Sequence, residues 1–214
     1  NRQFKEEENF KVLSLNKVQK LKYGENPHQK ATLYSLNNEI DWNLLNGGDL
    51  TYNDILNSTV ALNIVAEFFD VAACAIVKHA NPSAVALSSD INSAWDKALD
   101  SDPISLFSGV AAFTKEVTLE LAKKLEVMSL KAILAPSYST AALEELKRKK
   151  NLKVILINTP LEEILKLTPE DIKITPFGAL VQEKDAKELT PETFKVVTKK
   201  KPEQKEVEDM IFAF

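Results

Sequence analysis

The sequence predicts an α/β fold, a mainly parallel sheet with helical crossovers, on the basis of two observations. Short apolar runs of strand length alternate along the chain with segments of ten or so residues whose apolar positions have helical spacing. The 214 residues are 44% hydrophobic, which is enough for a buried core. Strands that alternate with helices pair side by side in one direction, and the helices cover the faces of the sheet.

The first clear elements begin near residue 53. A broad apolar stripe from Ile55 to Phe69, behind the cap candidates Asn53 and Asp54, predicts a helix. The run 72–77 is short, apolar and bounded by polar residues, which predicts a buried strand. By the same criteria we expect helices over 90–99, 115–127 and 139–149, and strands over 109–113, 132–135 and 154–157.

The last part of the chain has a different pattern. Strands are predicted over 178–182 and 194–198, and Pro202 suits the first turn of a final helix. The apolar face of that helix, at i, i+3, i+4 and i+7, consists of Val207, Met210, Ile211 and Phe214. Because this spacing continues to the last residue without a cap, we expect the sequence to be cut within a domain.

Composition excludes several classes of function. Cys74 is the single cysteine, so an internal disulfide and a cysteine-cluster metal site are excluded and a cytoplasmic location is favoured. The net charge of −4 argues against nucleic-acid binding, and no apolar run approaches the roughly 20 residues that a membrane span needs. His28 and His79 are far apart in the sequence, which also has no HExxH or zinc-deaminase motif, so we expect no metal site.

The basic residues limit how this chain can recognise an anion. Neither GxGxxG nor GxxxxGK[ST] occurs, so a dinucleotide fold or a P-loop has no support. Only Arg2 and Arg148 are arginines among 27 basic residues, so 27 − 2 = 25 are lysines. A phosphate or carboxylate site must therefore rely on lysine charges and backbone amides rather than on guanidinium forks. The basic run 147–150 is interpreted as a solvated helix end.

The strongest candidate for chemistry is Lys78-His79, directly after the predicted strand 72–77. Ligands of α/β sheets collect beyond the carboxyl ends of strands. An imidazole accepts a proton near neutral pH, and a neighbouring ammonium stabilises a developing oxyanion. Both side chains reach one pocket only if the backbone leaves strand geometry, and Asn81-Pro82 predicts a turn there. The alternative is a surface turn with a solvated lysine and a structural histidine.

Other polar segments are weaker candidates. The loop 21–29 offers Lys22 and the Tyr23 hydroxyl to a phosphate, although its composition alone favours an ordinary polar loop. Ser108 ends the segment 101–109, where Ser-Gly before a strand permits close approach of a ligand, but a plain connection is the commoner outcome. Lys131 occupies the equivalent position before the next strand.

Seven segments, taken together and in order, resemble the aminoimidazole carboxamide ribonucleotide (AICAR) transformylase domain of a bifunctional purine-biosynthesis family. The family's other domain is an IMP cyclohydrolase. The segments read LKYGENPHQKATLY, GGDLTYNDILN, IVKHANPSAVA, DSDPISLFSGVAAF, ILAPSYSTAALEELKRKKNLKVI, GALVQEKD and VVTKKKPEQKEVEDMIFAF.

This resemblance implies AICAR formyltransferase activity in IMP biosynthesis: transfer of a formyl group from the co-substrate 10-formyltetrahydrofolate to the 5-amino group of AICAR. It implies that Lys22 and Tyr23 hold the nucleotide phosphate, that Lys78 and His79 are the catalytic pair, and that Ser108 lies against the ligand. Lys131 is assigned to the same substrate site. The resemblance also implies a cytidine-deaminase-like subdomain without zinc and a homodimer with shared active sites, and it leaves a monovalent cation open.

Three substitutions distinguish this chain from the usual pattern of the family. Lys22 stands where the family has Arg, Ser108 where it has Gly, and Lys131 where it commonly has an acidic residue. They motivate an alternative function, a non-catalytic nucleotide-binding or dimerisation module. A zinc deaminase, a third interpretation, is disfavoured by the single cysteine.

The resemblance also gives a domain organisation. Residues 1–20 are predicted to be a linker or the tail of an absent cyclohydrolase domain. Residues 21–160 form the first transformylase subdomain, and residues 161–214 form a connection and the start of a truncated second subdomain. A complete active site is therefore not expected from these residues alone.

Overall fold

A computed structural model describes residues 12–36, 39–101, 103–104, 106–168, 170–187, 189–191, 193 and 195–214. The chain divides into two compact units, 1–168 and 169–214. Half of the predicted linker, together with Asp102, Ser105 and Phe194, lies outside the described residues. None of the helices in the described part of the chain is long and apolar enough to cross a membrane.

The first unit contains eight strands and five helices among its described residues. The strands are β1 (Asn16–Lys20), β2 (Thr32–Ser35), β3 (Trp42–Asn46), β4 (Ala72–Lys78), β5 (Asn81–Ser88), β6 (Val110–Phe113), β7 (Ala132–Ala135) and β8 (Lys153–Ile157). The helices are α1 (Tyr52–Glu67), α2 (Ile91–Ser101), α3 (Leu119–Val127), α4 (Thr140–Lys147) and α5 (Leu161–Leu167).

Six of these strands form one mixed sheet in the order β3-β8-β7-β6-β4-β5, and β1 pairs with β2 in a separate hairpin. The central strands β6, β7 and β8 are parallel and are joined by the crossover helices α3 and α4. The outer pairs β3–β8, β4–β6 and β4–β5 are antiparallel. The predicted α/β class with helical crossovers is confirmed, with antiparallel pairs added at both edges.

Helices cover both faces of the sheet because the sheet strands are apolar on both sides. One core contains Ile76, Phe113 and Ile133 from the sheet and the buried faces of α2, α3 and α4. The second core lies on the other face of the sheet. It contains Val77, Leu134 and other sheet residues, and it is covered by α1 and α5. All residues of β6 and β7 are buried, as the short apolar runs predicted.

The first helix begins two residues earlier than its sequence pattern indicated. Thr51 is the N-cap, since its hydroxyl accepts a hydrogen bond from the Asp54 backbone N–H at 3.1 Å. The Asp54 carboxylate accepts one in return from the Thr51 backbone N–H at 2.8 Å. Asp54 is thus the third residue of a capping box and not the cap itself, and the prediction of Asn53 as a cap is wrong.

The turn predicted at Asn81-Pro82 is also wrong in its position. The chain reverses at His79-Ala80, and Asn81 opens the edge strand β5. Proline is tolerated on an edge strand because its missing N–H leaves no partner unpaired there. The bulge between Ile76 and Val77 in the β4–β5 register lies next to Pro82.

The second unit contains β9 (Glu170–Thr175), β10 (Gly178–Glu183) and α6 (Gln204–Ala213). The two strands form an antiparallel hairpin, which confirms the strand predicted over 178–182. The final helix is confirmed as well, with Glu203 as its N-cap and Pro202 just before it. The strand predicted over 194–198 is wrong in its described part, since 195–198 has no strand structure.

Candidate functional site

The strand directions place the candidate residues at one edge of the sheet. Lys78 is the last residue of β4, which runs antiparallel to β6. The carboxyl end of β4 therefore meets the amino ends of the parallel strands β6, β7 and β8. Ser108 lies two residues before β6 and Lys131 directly before β7, so both lie at the same edge as Lys78, although they enter strands rather than leave them.

Backbone hydrogen bonds hold the entries to these strands side by side. The Ser108 N–H donates to the Ser129 carbonyl oxygen at 2.6 Å, and the Lys131 N–H donates to the Gly109 carbonyl oxygen at 2.8 Å. The Lys153 N–H donates to the Lys131 carbonyl oxygen at 3.1 Å. Neighbouring strands are about 4.8 Å apart, so side chains at successive strand entries share one surface.

The loop 21–29 is brought to the same edge by its pairing with the start of α1. The Lys22 N–H donates to the Leu50 carbonyl oxygen at 2.8 Å, and the Tyr52 N–H donates to the Tyr23 carbonyl oxygen at 3.1 Å. The loop is closed by a 2.8 Å hydrogen bond from the Gly24 N–H to the Gln29 carbonyl oxygen. It is a fixed turn beside the N-terminus of α1.

These segments enclose an open cavity of about 620 Å³ at the edge of the sheet. Its lining includes Lys22, Tyr23, Ser108 and Lys131, so the structure brings together all four residues that the sequence assigned to substrate binding. Lys149, Lys150 and Lys153 also line it, and no carboxylate is among the described lining residues. Five lysines around one cavity make it attractive to an anion.

Two of the five ammonium groups have protein partners. Lys149 Nζ donates to the Met128 carbonyl oxygen at 2.6 Å. Lys153 Nζ lies 3.3 Å from Asp54 Oδ2, with both side chains largely buried. The interpretation of 147–150 as a solvated helix end is therefore wrong for Lys149, which is half-buried and anchored.

Lys22, Lys131 and Lys150 are exposed and present their charge to the cavity mouth. Lys22 Nζ lies 6.0 Å from the centroid of the Tyr23 ring, at the outer limit of a cation–π contact. Both groups therefore approach the cavity from the same loop, one as a charge and the other as a ring with a hydroxyl.

Lys78 ends β4 and His79 begins the β4–β5 turn at this edge, but neither residue lines the cavity. The backbone leaves strand geometry here, with φ of 55° at His79 and 57° at Ala80. The Ala80 N–H donates to Asn57 Oδ1 at 2.7 Å, which ties the turn to α1. Lys78 is half-buried and His79 is exposed.

Ser108 adopts an unusual backbone conformation for a residue with a side chain. Its φ of 66° lies in the left-handed region, which glycine adopts without steric cost. The next residue, Gly109, is packed so closely that an added Cβ would lie 3.1 Å from the Leu106 carbonyl oxygen and 3.2 Å from that of Val77. The segment before β6 is thus pressed against the end of β4.

Sequence reasoning missed Thr51 and Lys153 as lining residues. Lys153 lies just before the strand predicted over 154–157, and its ammonium contacts the carboxylate of Asp54, three positions after the helix cap Thr51. The sequence signal that could have found Thr51 is the Thr-x-x-Asp capping box, because this pattern marks the N-terminus of a helix.

The fold and this cavity define an α/β protein with a lysine-lined cavity at one edge of its sheet. Residues 1–214 match the family described as AICARFT/IMPCHase bienzyme, and the chain belongs to that family.

The relatives are bifunctional purine biosynthesis proteins PurH. The protein of Caldicellulosiruptor bescii is 41% identical over 210 residues, which are 95% of this chain and 40% of that protein. The Aquifex aeolicus protein is 40% identical over 209 residues, covering 95% of this chain and 39% of its own length. This chain therefore spans about 40% of the length of the curated relatives it matches.

A solved structure, a putative formate dehydrogenase accessory protein from Desulfotalea psychrophila, has 18% sequence identity and a TM-score of 0.37. The likeness covers 49% of this chain and 58% of the other. At that TM-score it carries no argument about fold or function.

Proposed function

We propose that this chain contributes the nucleotide-binding half of an AICAR formyltransferase site and its catalytic pair. The observation that carries the proposal is the cavity at the sheet edge, where Lys22, Tyr23, Ser108 and Lys131 come together from separate segments. These four residues were assigned to the substrate on sequence grounds, and their convergence supports the formyltransferase rather than the cyclohydrolase activity of the family.

The charges of the cavity suit a nucleotide monophosphate. A phosphate dianion placed near Lys22 and Lys131 gains Coulomb energy from both ammonium groups, and Lys150 adds a third charge at the mouth. The Tyr23 hydroxyl adds a neutral hydrogen-bond donor on a rigid ring to the charged donors of the lysines. With two of the five lysines held by protein groups, the other three carry most of the affinity for the ligand.

The reaction joins the 5-amino nitrogen of AICAR to the formyl carbon and breaks the bond from that carbon to N10 of the folate. An amine conjugated to a carboxamide is a weak nucleophile, so removal of its proton by His79 assists the attack. Lys78 stabilises the oxyanion of the tetrahedral intermediate or donates a proton to the departing N10. The products are the formamido nucleotide and tetrahydrofolate.

His79 and Lys78 stand on a tight turn at the same sheet edge as the cavity, outside its lining. The proposal therefore places the nucleotide phosphate in the cavity and the reacting amine toward the β4–β5 turn. The folate and the remaining contacts come from the rest of the protein and from a second copy in a homodimer, as the family resemblance implies.

The second candidate is a nucleotide-binding module without turnover. Ser108 favours it, because a side chain in the left-handed conformation stands at the cavity wall where the family has glycine. Both candidates bind AICAR, and only the formyltransferase releases tetrahydrofolate.

The test is an assay of tetrahydrofolate release by the protein expressed from its complete gene, with AICAR and 10-formyltetrahydrofolate as substrates. Parallel calorimetry measures AICAR binding. We expect turnover that depends on both substrates and an affinity that weakens at high salt. Binding without turnover would establish the second candidate, and the absence of AICAR binding would refute both.

A further inference from the structure

A second, open cavity is lined by α1, β3 and the β1–β2 hairpin, over part of the core that α1 and α5 cover. Its volume is about 290 Å³. The floor is formed by sheet residues that are almost fully buried, including Leu134 and Ile155, which are 2% and 3% exposed.

The cavity contains a buried hydroxyl without a partner. Ser58 occupies a position of the apolar stripe of α1, three residues after Ile55 and four before Leu62, and all three line the cavity. Ser58 is 7% exposed, and its Oγ makes no hydrogen bond with any residue that the structure describes. A buried hydroxyl without a partner costs free energy, and an alanine would fill the same position on the helix without that cost.

Water is a poor partner for this hydroxyl. An ordered water inside a protein needs two to four polar partners, whereas Ile55 and Leu62 flank Ser58 on α1 with apolar side chains. The carboxylates that line the cavity, Glu39 and Asp41, are exposed. The nearby Thr59 hydroxyl already donates to the Ile55 carbonyl oxygen at 2.9 Å. The buried part of the cavity therefore suits the apolar body of a ligand that carries one polar group for Ser58.

Size narrows the ligand further. An apolar cavity of about 150 Å³ is enough for one benzene ring. The 290 Å³ here therefore fits two fused rings, and Trp42 in the wall offers a flat aromatic surface to them.

We propose that this cavity, which the formyltransferase proposal does not use, is a binding site for a small fused-ring aromatic molecule whose one N–H or O–H group bonds to Ser58 Oγ. Indole and indene are suitable probes, because they share a shape and only indole carries an N–H group. The inference rests on the apolar floor of the cavity and the unpaired hydroxyl together.

The experiment is ¹⁹F NMR of the protein as expressed from its complete gene, labelled with 5-fluorotryptophan. The Trp42→Phe variant assigns the Trp42 resonance. Trp95 serves as an internal control, since it is 1% exposed and belongs to the other core. We expect indole to shift the Trp42 resonance saturably and to leave that of Trp95 in place.

Two variants test the mode of binding. Ser58→Ala should weaken indole about fivefold or more while leaving the affinity for indene unchanged, because only indole loses a hydrogen bond. Thr59→Phe places a large ring at the exposed rim and should abolish binding of both probes, whereas Glu67→Phe, an exposed change at the far end of α1, should not.

Several results would overturn the proposal. They are the absence of a saturable shift at Trp42, an equal shift at Trp95, and equal losses of indole and indene in Ser58→Ala. Undiminished binding in Thr59→Phe would do the same. Because no formyl-transfer substrate is present, failure here leaves the proposed enzymatic function unaffected.

Discussion

The Lys153 ammonium lies 3.3 Å from the Asp54 carboxylate, and the two side chains are 14% and 7% exposed. Asp54 also accepts the Thr51 backbone N–H at 2.8 Å. This pair therefore ties the first residue of β8 to the first turn of α1. Because Lys153 and the N-cap Thr51 both line the lysine-lined cavity, the pair fixes the distance between two parts of its wall.

Removing one partner of this pair should destabilise the fold. Lys153→Met leaves a buried carboxylate with one hydrogen bond, and we expect a loss of about 3 kcal/mol in the free energy of unfolding. Asp54→Asn should lower the free energy of unfolding by a similar amount, and the double variant should lose clearly less than the sum of the two single losses. Urea unfolding of the wild type and the three variants measures these free energies. Strict additivity would show that the two groups do not interact.

Ser108 is the residue most clearly out of place in its backbone conformation. Its φ of 66° costs about 1–2 kcal/mol for a residue with a Cβ, a strain that glycine avoids. Glycine recovers only part of this free energy, because its unfolded chain has more conformational entropy to lose on folding. Ser108→Gly should therefore raise the free energy of unfolding by up to about 1 kcal/mol, and Ser108→Val should lower it. Ser129→Gly, in the same cavity wall, is the matched control and should not stabilise.

The exposed lysines of the cavity should control affinity for the nucleotide. Lys131→Ala and Lys22→Ala should each weaken AICAR binding about tenfold at low salt, and less at high salt, because a phosphate loses one charge partner. Lys22→Arg should tighten binding through a bidentate contact. Lys147→Ala, exposed on α4 and outside the cavity, should bind as the wild type does. Equal effects of Lys131→Ala and Lys147→Ala would place the phosphate elsewhere.

Cys74 should make stability depend on alkaline pH. Burial raises the pKa of its thiol, so the folded protein keeps the proton that the unfolded chain loses at about pH 8.5. The unfolded state then binds fewer protons than the native state, and the stabilisation is complete below that pH and lost above it, with a limiting slope of about 1.4 kcal/mol per pH unit. Cys74→Ala should lose stability less steeply between pH 8.5 and 9.5. Parallel curves for the two proteins would contradict this.

Periodicity alone predicted the central part of the fold. The strands β4, β6, β7 and β8 and the helices between them were predicted because each is buried on a face that its sequence reveals. The edge strands β3 and β5 were missed, because many of their residues are exposed and their sequences mix polar with apolar side chains. Pro82 was interpreted as a turn former, while the left-handed residues His79 and Ala80 that make the turn carry no sequence pattern of their own.

Four of the predicted site residues line the cavity, Lys78 and His79 lie outside it, and the geometry that brings the four together was not predicted. Lys22, Tyr23, Ser108 and Lys131 were chosen separately, and their convergence depends on the antiparallel pairing of β4 with β6, which no local pattern encodes. The contributions of Lys149 and Lys153 were missed because a lysine next to a strand or at a helix end is usually solvated. Tertiary contacts decided both cases.

The central claim is that His79 removes the proton of the attacking amine. Its most direct test is kcat for formyl transfer in His79→Asn, since asparagine tolerates the left-handed conformation of this turn and keeps the fold. His28→Asn, the only other histidine, is the control. We predict a fall in kcat of about 10²–10⁴-fold for His79→Asn, with unchanged AICAR affinity and a wild-type rate for His28→Asn. A wild-type kcat in His79→Asn would contradict the account.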